Sequence, residues 1–219
     1  MSHSVVYVFM NKGADLDYIL SRYDENRDVG TYIKYTREQA IAKVRQDCED
    51  YKHSYWYTEY HKDPEKYKAE CDNEGHIDYL EHGFEEKCNW TDEQCYQYMK
   101  ELYEYDDMVD EDGNLLSNYN PDSKWDWYAI GGRWNNILIT KDGNGTNEDY
   151  VSEIDWDKTM TPFAYIDING NWHENGEMGW WGIVSNEKDK DEWDDEFKNY
   201  VNGIQNNKHI EVVAVDVHI

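Results

Sequence analysis

The sequence predicts an α+β fold: an antiparallel or mixed sheet that contains both terminal segments, is packed by helices and carries an acidic helical insertion. Three observations support it. Val5 to Met10 and Ile210 to Ile219 are short, continuously β-rich runs at the two ends of the chain, as expected of central strands buried on two faces. Two stretches between them, about 37–60 and Thr91 to about Tyr105, repeat apolar residues every three or four positions, the helical period. From Trp125 onward the texture changes to short β-rich runs separated by Gly and Asn turns.

In chain order, Asn11-Lys12-Gly13 ends the first strand, and Leu16, Ile19 and Leu20 give a short helix one apolar stripe. Tyr23 to Arg27 is a polar loop that could hold two carboxylates, Asp24 and Glu25, near strand ends, and is first a solvated helix exit. Thr36 with Gln39 and Thr91 with Gln94 are capping-box pairs. Ile41, Val44, Cys48, Tyr51 and Tyr55 should face inward on the first long helix, and Cys95, Tyr98, Met99 and Leu102 on the second.

Lys124 to Trp134 packs three of the ten tryptophans around Gly131-Gly132 and a single Arg133. Alternation before the glycines and the run from Trp134 to Ile139 suit two strands joined by a tight turn. The tryptophans are first of all core residues; an aromatic platform with one cation at its edge is the second reading. Phe163 to Ile168, Asn169-Gly170 and Asn171 to Glu174 read as a hairpin with a type I′ turn. Glu177 to Val184 supplies another strand, and Asp189 to Ile204 an amphipathic helix with Trp193, Phe197, Tyr200 or Val201, and Ile204 inward, ending near Gly203. The sheet should have about five to seven strands with helices on one face, in one domain spanning 1–219 with the acidic helical insertion at 37–115.

The formal charge is −27, yet 39% of residues are hydrophobic and 16% aromatic, so the chain has the large side chains that disordered acidic segments lack. Between residues 47 and 112 there are 22 acids against 6 bases. Such a surface repels phosphate backbones and anionic membranes, which argues against direct nucleic-acid or membrane binding and for a basic protein partner. With no basic-then-apolar N-terminal pattern, a cytoplasmic location is expected. Four cysteines in a long chain of this kind read as reduced thiols.

No nucleophile elbow, phosphate loop, dinucleotide fingerprint or His-Glu-x-x-His motif is present. Cys71, His76, His82, Cys88 and Cys95 fall within 25 residues but include no Cys-x-x-Cys or His-x-x-x-His pair, so thiols on helices are expected rather than zinc. Asp142, Asn144, Thr146 and Glu153 match four positions of a calcium loop, but Asn147 replaces the usual glycine and no flanking helices are evident, which favours a plain Gly-Asn turn. No cofactor or metal is expected.

Tyr23-Asp24-Glu25-Asn26, Trp125 to Trp134, and Trp172-His173-Glu174-Asn175-Gly176-Glu177-Met178-Gly179-Trp180-Trp181-Gly182, in that order, resemble an uncharacterised family of bacteriophages and bacterial mobile elements. That resemblance implies a phage setting and brings no catalytic residues with it; residues 47–115 lie outside it.

Two functions follow as expectations. One is an acidic inhibitor of the anti-CRISPR or anti-restriction type, whose carboxylates imitate nucleic-acid phosphates. It would occupy the basic surface of a host nuclease or other nucleic-acid-processing enzyme through Glu85, Glu86, Asp92, Glu93, Glu101, Glu104, Asp106, Asp107, Asp110, Glu111 and Asp112. The other is an enzyme or ligand pocket formed by Asp24, Glu25, Arg133, His173 and Glu177 beside Trp127 and Trp180, enough for general acid-base work if those groups converge.

Overall fold

The computed structural model of the protein describes residues 2–102, 108–178 and 184–218. The fold is α+β, and the chain divides into two compact units: Met1–Val29 with Tyr119–Ile219, and Gly30–Asn118 between them in sequence.

The first unit opens with strand β1 (His3–Asn11) and helix α1 (Leu16–Ser21), whose N-cap Asp15 accepts the Tyr18 N–H. The second unit follows. It holds strand β2 (Tyr32–Tyr35), helices α2 (Arg37–Tyr51), α3 (Tyr55–Lys62), α4 (Pro64–Glu70) and α5 (Glu74–Asp78), a π turn (Tyr79–Gly83), helices α6 (Phe84–Cys88) and α7 (Asp92–Leu102), and strand β3 (Leu115–Ser117) paired with β2. Both capping boxes form: Thr36 accepts the Gln39 N–H, Thr91 accepts the Gln94 N–H, and each glutamine oxygen takes the N–H of its cap residue. The expected helix over 37–60 is instead two helices. The chain turns at residues 52–54 because the Ser54 hydroxyl accepts the Tyr57 N–H and starts a new helix. Ala40, Val44, Cys95, Tyr96 and Met99 are buried together, and Cys48 is buried as well. Leu102, expected inward, is exposed, and Tyr96, not in the expected stripe, is buried with its hydroxyl donating to the Gly113 carbonyl.

Back in the first unit come β4 (Trp127–Ile130), β5 (Leu138–Ile139), β6 (Gly145–Thr146), β7 (Glu148–Tyr150), β8 (Ala164–Ile166), β9 (Trp172–Glu174), β10 (Glu177–Met178), β11 (Val184–Ser185), α8 (Lys190–Ile204) and β12 (Ile210–His218). β1 and β12 pair antiparallel from His3↔His218 to Asn11↔Ile210. The sheet order is β4-β12-β1-β8-β9, with β7 also on β12 and β8 parallel to β1. Both terminal strands are thus central, as their continuous apolar pattern requires. One face, with Tyr7, Phe9, Val212 and Ala214, packs against Trp193, Phe197 and Val201 of α8; the other, with Val6, Val8, Val213 and Val215, packs against Leu20 of α1, Tyr23 and Trp125. Helices therefore cover both faces, not one, because the central strands are apolar on both.

Three further expectations are corrected. Gly131-Gly132 is not a hairpin tip: β4 pairs with β12, and the glycines (φ 70° and 50°) lead into a single 3-10 turn, Gly132–Trp134. A Cβ on Gly132 would lie 2.4 Å from the Asp216 Cβ, so glycine is required there. The hairpin of β8 and β9 forms in the expected place, but only Gly170 has positive φ, so the turn is not type I′. Asp167 braces it instead, accepting the N–H groups of Asn169 and Asn171. Helix α8, capped by Asp189, ends at Ile204 beside Gly203 as expected. Of the strand expected over Glu177 to Val184, Glu177–Met178 pairs with Val184–Ser185, and residues 179–183 lie outside the described residues.

Residues on either side of the inserted unit are stitched together inside the first. The buried Asn120 side chain donates to the Arg22 and Asp24 carbonyls at 2.8 and 2.9 Å, and Glu25 N donates to the Trp125 carbonyl at 2.8 Å.

Replacing Phe9, which is 1% exposed, by alanine removes a ring from the centre of the α8 face, and is expected to cost about 3–5 kcal/mol. The 79%-exposed Tyr18 → Ala change should stay within about 0.5 kcal/mol. Denaturant midpoints of the two variants check this; equal shifts would contradict the packing described.

Candidate functional site

Strand order decides whether the pocket expected around Arg133 and His173 exists. Trp127 lies on β4 at one edge of the sheet and His173 on β9 at the other, with β12, β1 and β8 between, a separation of roughly 19 Å at about 4.8 Å per strand. Arg133 follows β4, its side chain exposed and its backbone N–H donated to Asp216 at 2.9 Å. The Asp24 carboxylate accepts the backbone and side-chain N–H groups of Asn26, and Glu25 is exposed beside it. Glu177 is on the separate β10-β11 ribbon, and Trp180 lies outside the described residues. Among the described residues Trp127 and His173 therefore do not converge, so the alternative pocket is not assembled as expected. Periodicity placed each on a strand or turn, but it does not contain strand order.

Two ionisable clusters form instead. The His173 ring stacks on Tyr165 (4.6 Å, 10°), its Nε2 lies 3.2 Å from Asp167 Oδ2 and its Nδ1 4.0 Å from Glu196, which also holds Lys188 at 2.6 Å. Burial alone would raise the Asp167 pKa; the Asn171 N–H groups, then His173 and Asn169, outweigh it and hold the carboxyl below the ordinary carboxylate range. This site positions the hairpin against α8, where Tyr200 Oη also accepts the Ile168 N–H at 3.0 Å.

The second cluster escaped sequence reasoning. His3, His218 and Trp127 stand in one row across β1, β12 and β4. His3 Nδ1 is 2.8 Å from Asp216 and His218 Nδ1 is 2.6 Å from Asp126, while the half-exposed Trp127 ring stacks on His218 at 5.4 Å. Asp216, 2% exposed, ties His3 to the Arg133 backbone. Its signal was present: Asp216 and His218, two apart on one face of an otherwise apolar strand, are the kind of buried polar pair that needs partners. Together these contacts clasp the ends of β1 and β12 to β4.

Among the described residues no group of three or more His, Cys, Asp or Glu side chains could hold a metal ion. Cys48, Cys71, Cys88 and Cys95 are free thiols. Asp142 turns inward on its own loop, accepting from the Thr140 hydroxyl and from the backbone and side chain of Asn144. The segment is the plain turn between β5 and β6.

The carboxylates expected to meet a partner divide into three groups. Glu85, Glu86, Glu101, Glu111 and Asp112 are exposed. Asp92 and Glu93, at the start of α7, are paired with Arg45 and Arg37 of α2, and Asp110 is occupied by the Asn114 side chain and N–H, which hold it below its usual range. Glu104, Asp106 and Asp107 lie outside the described residues. Residues 30–118 carry 23 acids and 10 bases in all.

No helix among the described residues is long and apolar enough to cross a membrane. Comparison with known proteins finds no matching family model, curated protein or solved structure.

Because the folded pKa of Asp167 is depressed, its contribution is complete above the unfolded carboxylate value of about 3.9 and is lost as pH falls through the folded value. Asp167→Ala is expected to destabilise by about 1–3 kcal/mol at neutral pH and by less as pH drops below about 4. Thermal unfolding from neutral pH to pH 3 checks both; a difference independent of pH would contradict the assignment.

Proposed function

We propose that the protein is an acidic inhibitor that binds the basic, nucleic-acid-gripping surface of a host defence or nucleic-acid-processing enzyme, of the anti-CRISPR or anti-restriction type, in the host cytoplasm. The observation that supports this is the state of Glu85, Glu86, Glu111 and Asp112: exposed on the unit 30–118, and without a cationic partner among the described residues. Carboxylates already paired lose part of any gain on meeting a new cation, whereas unpaired ones do not. Exposed like charges also steer a basic partner toward the surface and repel nucleic acid. The resemblance of the flanking motifs to bacteriophage proteins favours a host target. Trp127 and His173 stand on opposite edge strands of the sheet, which weighs against the competing pocket.

The test is a fourfold reversal, Glu85→Lys, Glu86→Lys, Glu111→Lys and Asp112→Lys. It touches no buried side chain, so the circular dichroism and melting of the wild type should be retained. Inhibition of nucleic-acid cleavage by host extract should fall at least roughly tenfold, about 1.4 kcal/mol. Unchanged inhibition by the folded variant would reject the proposal.

A further inference from the structure

Helices α3, α4 and α5 of the unit 30–118 enclose a groove of about 740 Å³, the size range of sites that take a small ligand or a few peptide residues. Three aromatic rings dominate it. Tyr55 and Trp56 are 66% and 53% exposed and meet edge to face at 5.2 Å, and Tyr67 enters from α4. His76 joins them, edge to face with Trp56 at 5.9 Å and tilted against Tyr67 at 6.3 Å. Large rings left in water on a short helix are not placed there by the core of the unit, which lies around Val44, Cys95 and Met99.

Apart from Cys71 and Asn73 the remaining lining is charged, and its balance is negative. Glu59, Asp63, Glu70 and Asp72 face two lysines. Lys62 is paired with Glu59, and Lys66 is 3.9 Å from Glu70. The Asp63 carboxylate caps α4 by accepting the Lys66 N–H. Asp72 is exposed and has no cationic partner among the described residues. One atom of a lining residue, His76 Nε2, is buried with no hydrogen-bond partner, which is costly unless something supplies one.

Exposed aromatic faces beside an unpaired carboxylate suit a flat cation that can stack and donate several hydrogen bonds at once. A guanidinium does this; an ammonium, compact and strongly hydrated, stacks poorly. We infer that the groove between α3, α4 and α5 receives an arginine side chain from a basic segment of the partner protein, stacked on Trp56 and paired with Asp72. The inference rests on the proposed function, because a nucleic-acid-gripping surface is rich in arginine. It adds what charge alone does not give, a preference for arginine over lysine.

The test uses two capped peptides of equal charge, four Gly-Arg repeats and four Gly-Lys repeats, titrated calorimetrically into the full chain at about 0.15 M salt. The arginine peptide is expected to bind at least roughly threefold more tightly, as cation-π contacts of this kind allow. Trp56→Ala should bring the two affinities together, Trp56→Phe should keep part of the preference, and Glu111→Lys with Asp112→Lys, outside the groove, should weaken both peptides and leave their ratio intact. Trp56 is half exposed, so its removal leaves the unit folded, which circular dichroism verifies. Equal affinity of the two peptides for the wild type, a preference that survives Trp56→Ala, or binding of neither peptide overturns the inference. Equal, salt-sensitive binding of both would leave the charge-driven function standing and remove only the arginine site, whereas loss of inhibition by the fourfold reversal is read separately.

Discussion

Nine consecutive residue pairs between β1 and β12 are the constraint on which the first unit depends. Each strand brings apolar side chains to both faces, so neither face can be left to water, and α8 and α1 must cover them. With its two edges taken by β12 and β8, β1 fixes the order of everything else: β4 and β7 share the remaining edge of β12, and β9 can reach the sheet only through β8. The pairing joins the two ends of the chain, so it is among the least local contacts possible and must wait for loop closure across everything between. The clasp of His3, Asp216, His218 and Asp126 finishes the pairing at its open end, where burying the Asp216 carboxylate is tolerable because it meets His3, and the partly exposed Asp126 meets His218.

Much of this was legible in the sequence, for a definite reason. Val5 to Met10 and Ile210 to Ile219 could not be one-sided strands, the Thr36-Gln39 and Thr91-Gln94 boxes mark helix starts through local hydrogen bonds, and Gly170 marks a turn through its own backbone freedom. Each signal depends on residues close in sequence. What failed at the candidate site depends on residues far apart. The partner of β4 is β12, 80 and more positions away, and nothing near Gly131 announces it. Arg133 and His173 were grouped because both sit in motif-like stretches, yet strand order sends them to opposite edges. His3 and His218 acquire their meaning only once β1 and β12 are adjacent.

The charge shows the same contrast. Read linearly, residues 47–112 are overwhelmingly acidic; folded, Arg37 and Arg45, which precede that stretch, return from α2 to Glu93 and Asp92. Folding therefore neutralises part of the surface and leaves the rest concentrated in carboxylates such as Glu85, Glu86, Glu111 and Asp112. That residue of unpaired charge, rather than the net −27, is what a basic partner would meet, since exposed pairs contribute little either way.

The most direct measurement is capture from host extract on the immobilised protein, followed by competition with duplex nucleic acid over a series of salt concentrations. If the exposed carboxylates occupy a nucleic-acid site, the captured protein should itself bind nucleic acid. It should be displaced by the duplex, and its affinity for the immobilised protein should fall steadily as salt screens the contact. A captured partner that keeps its nucleic acid while bound, or whose affinity is indifferent to salt, would contradict the account.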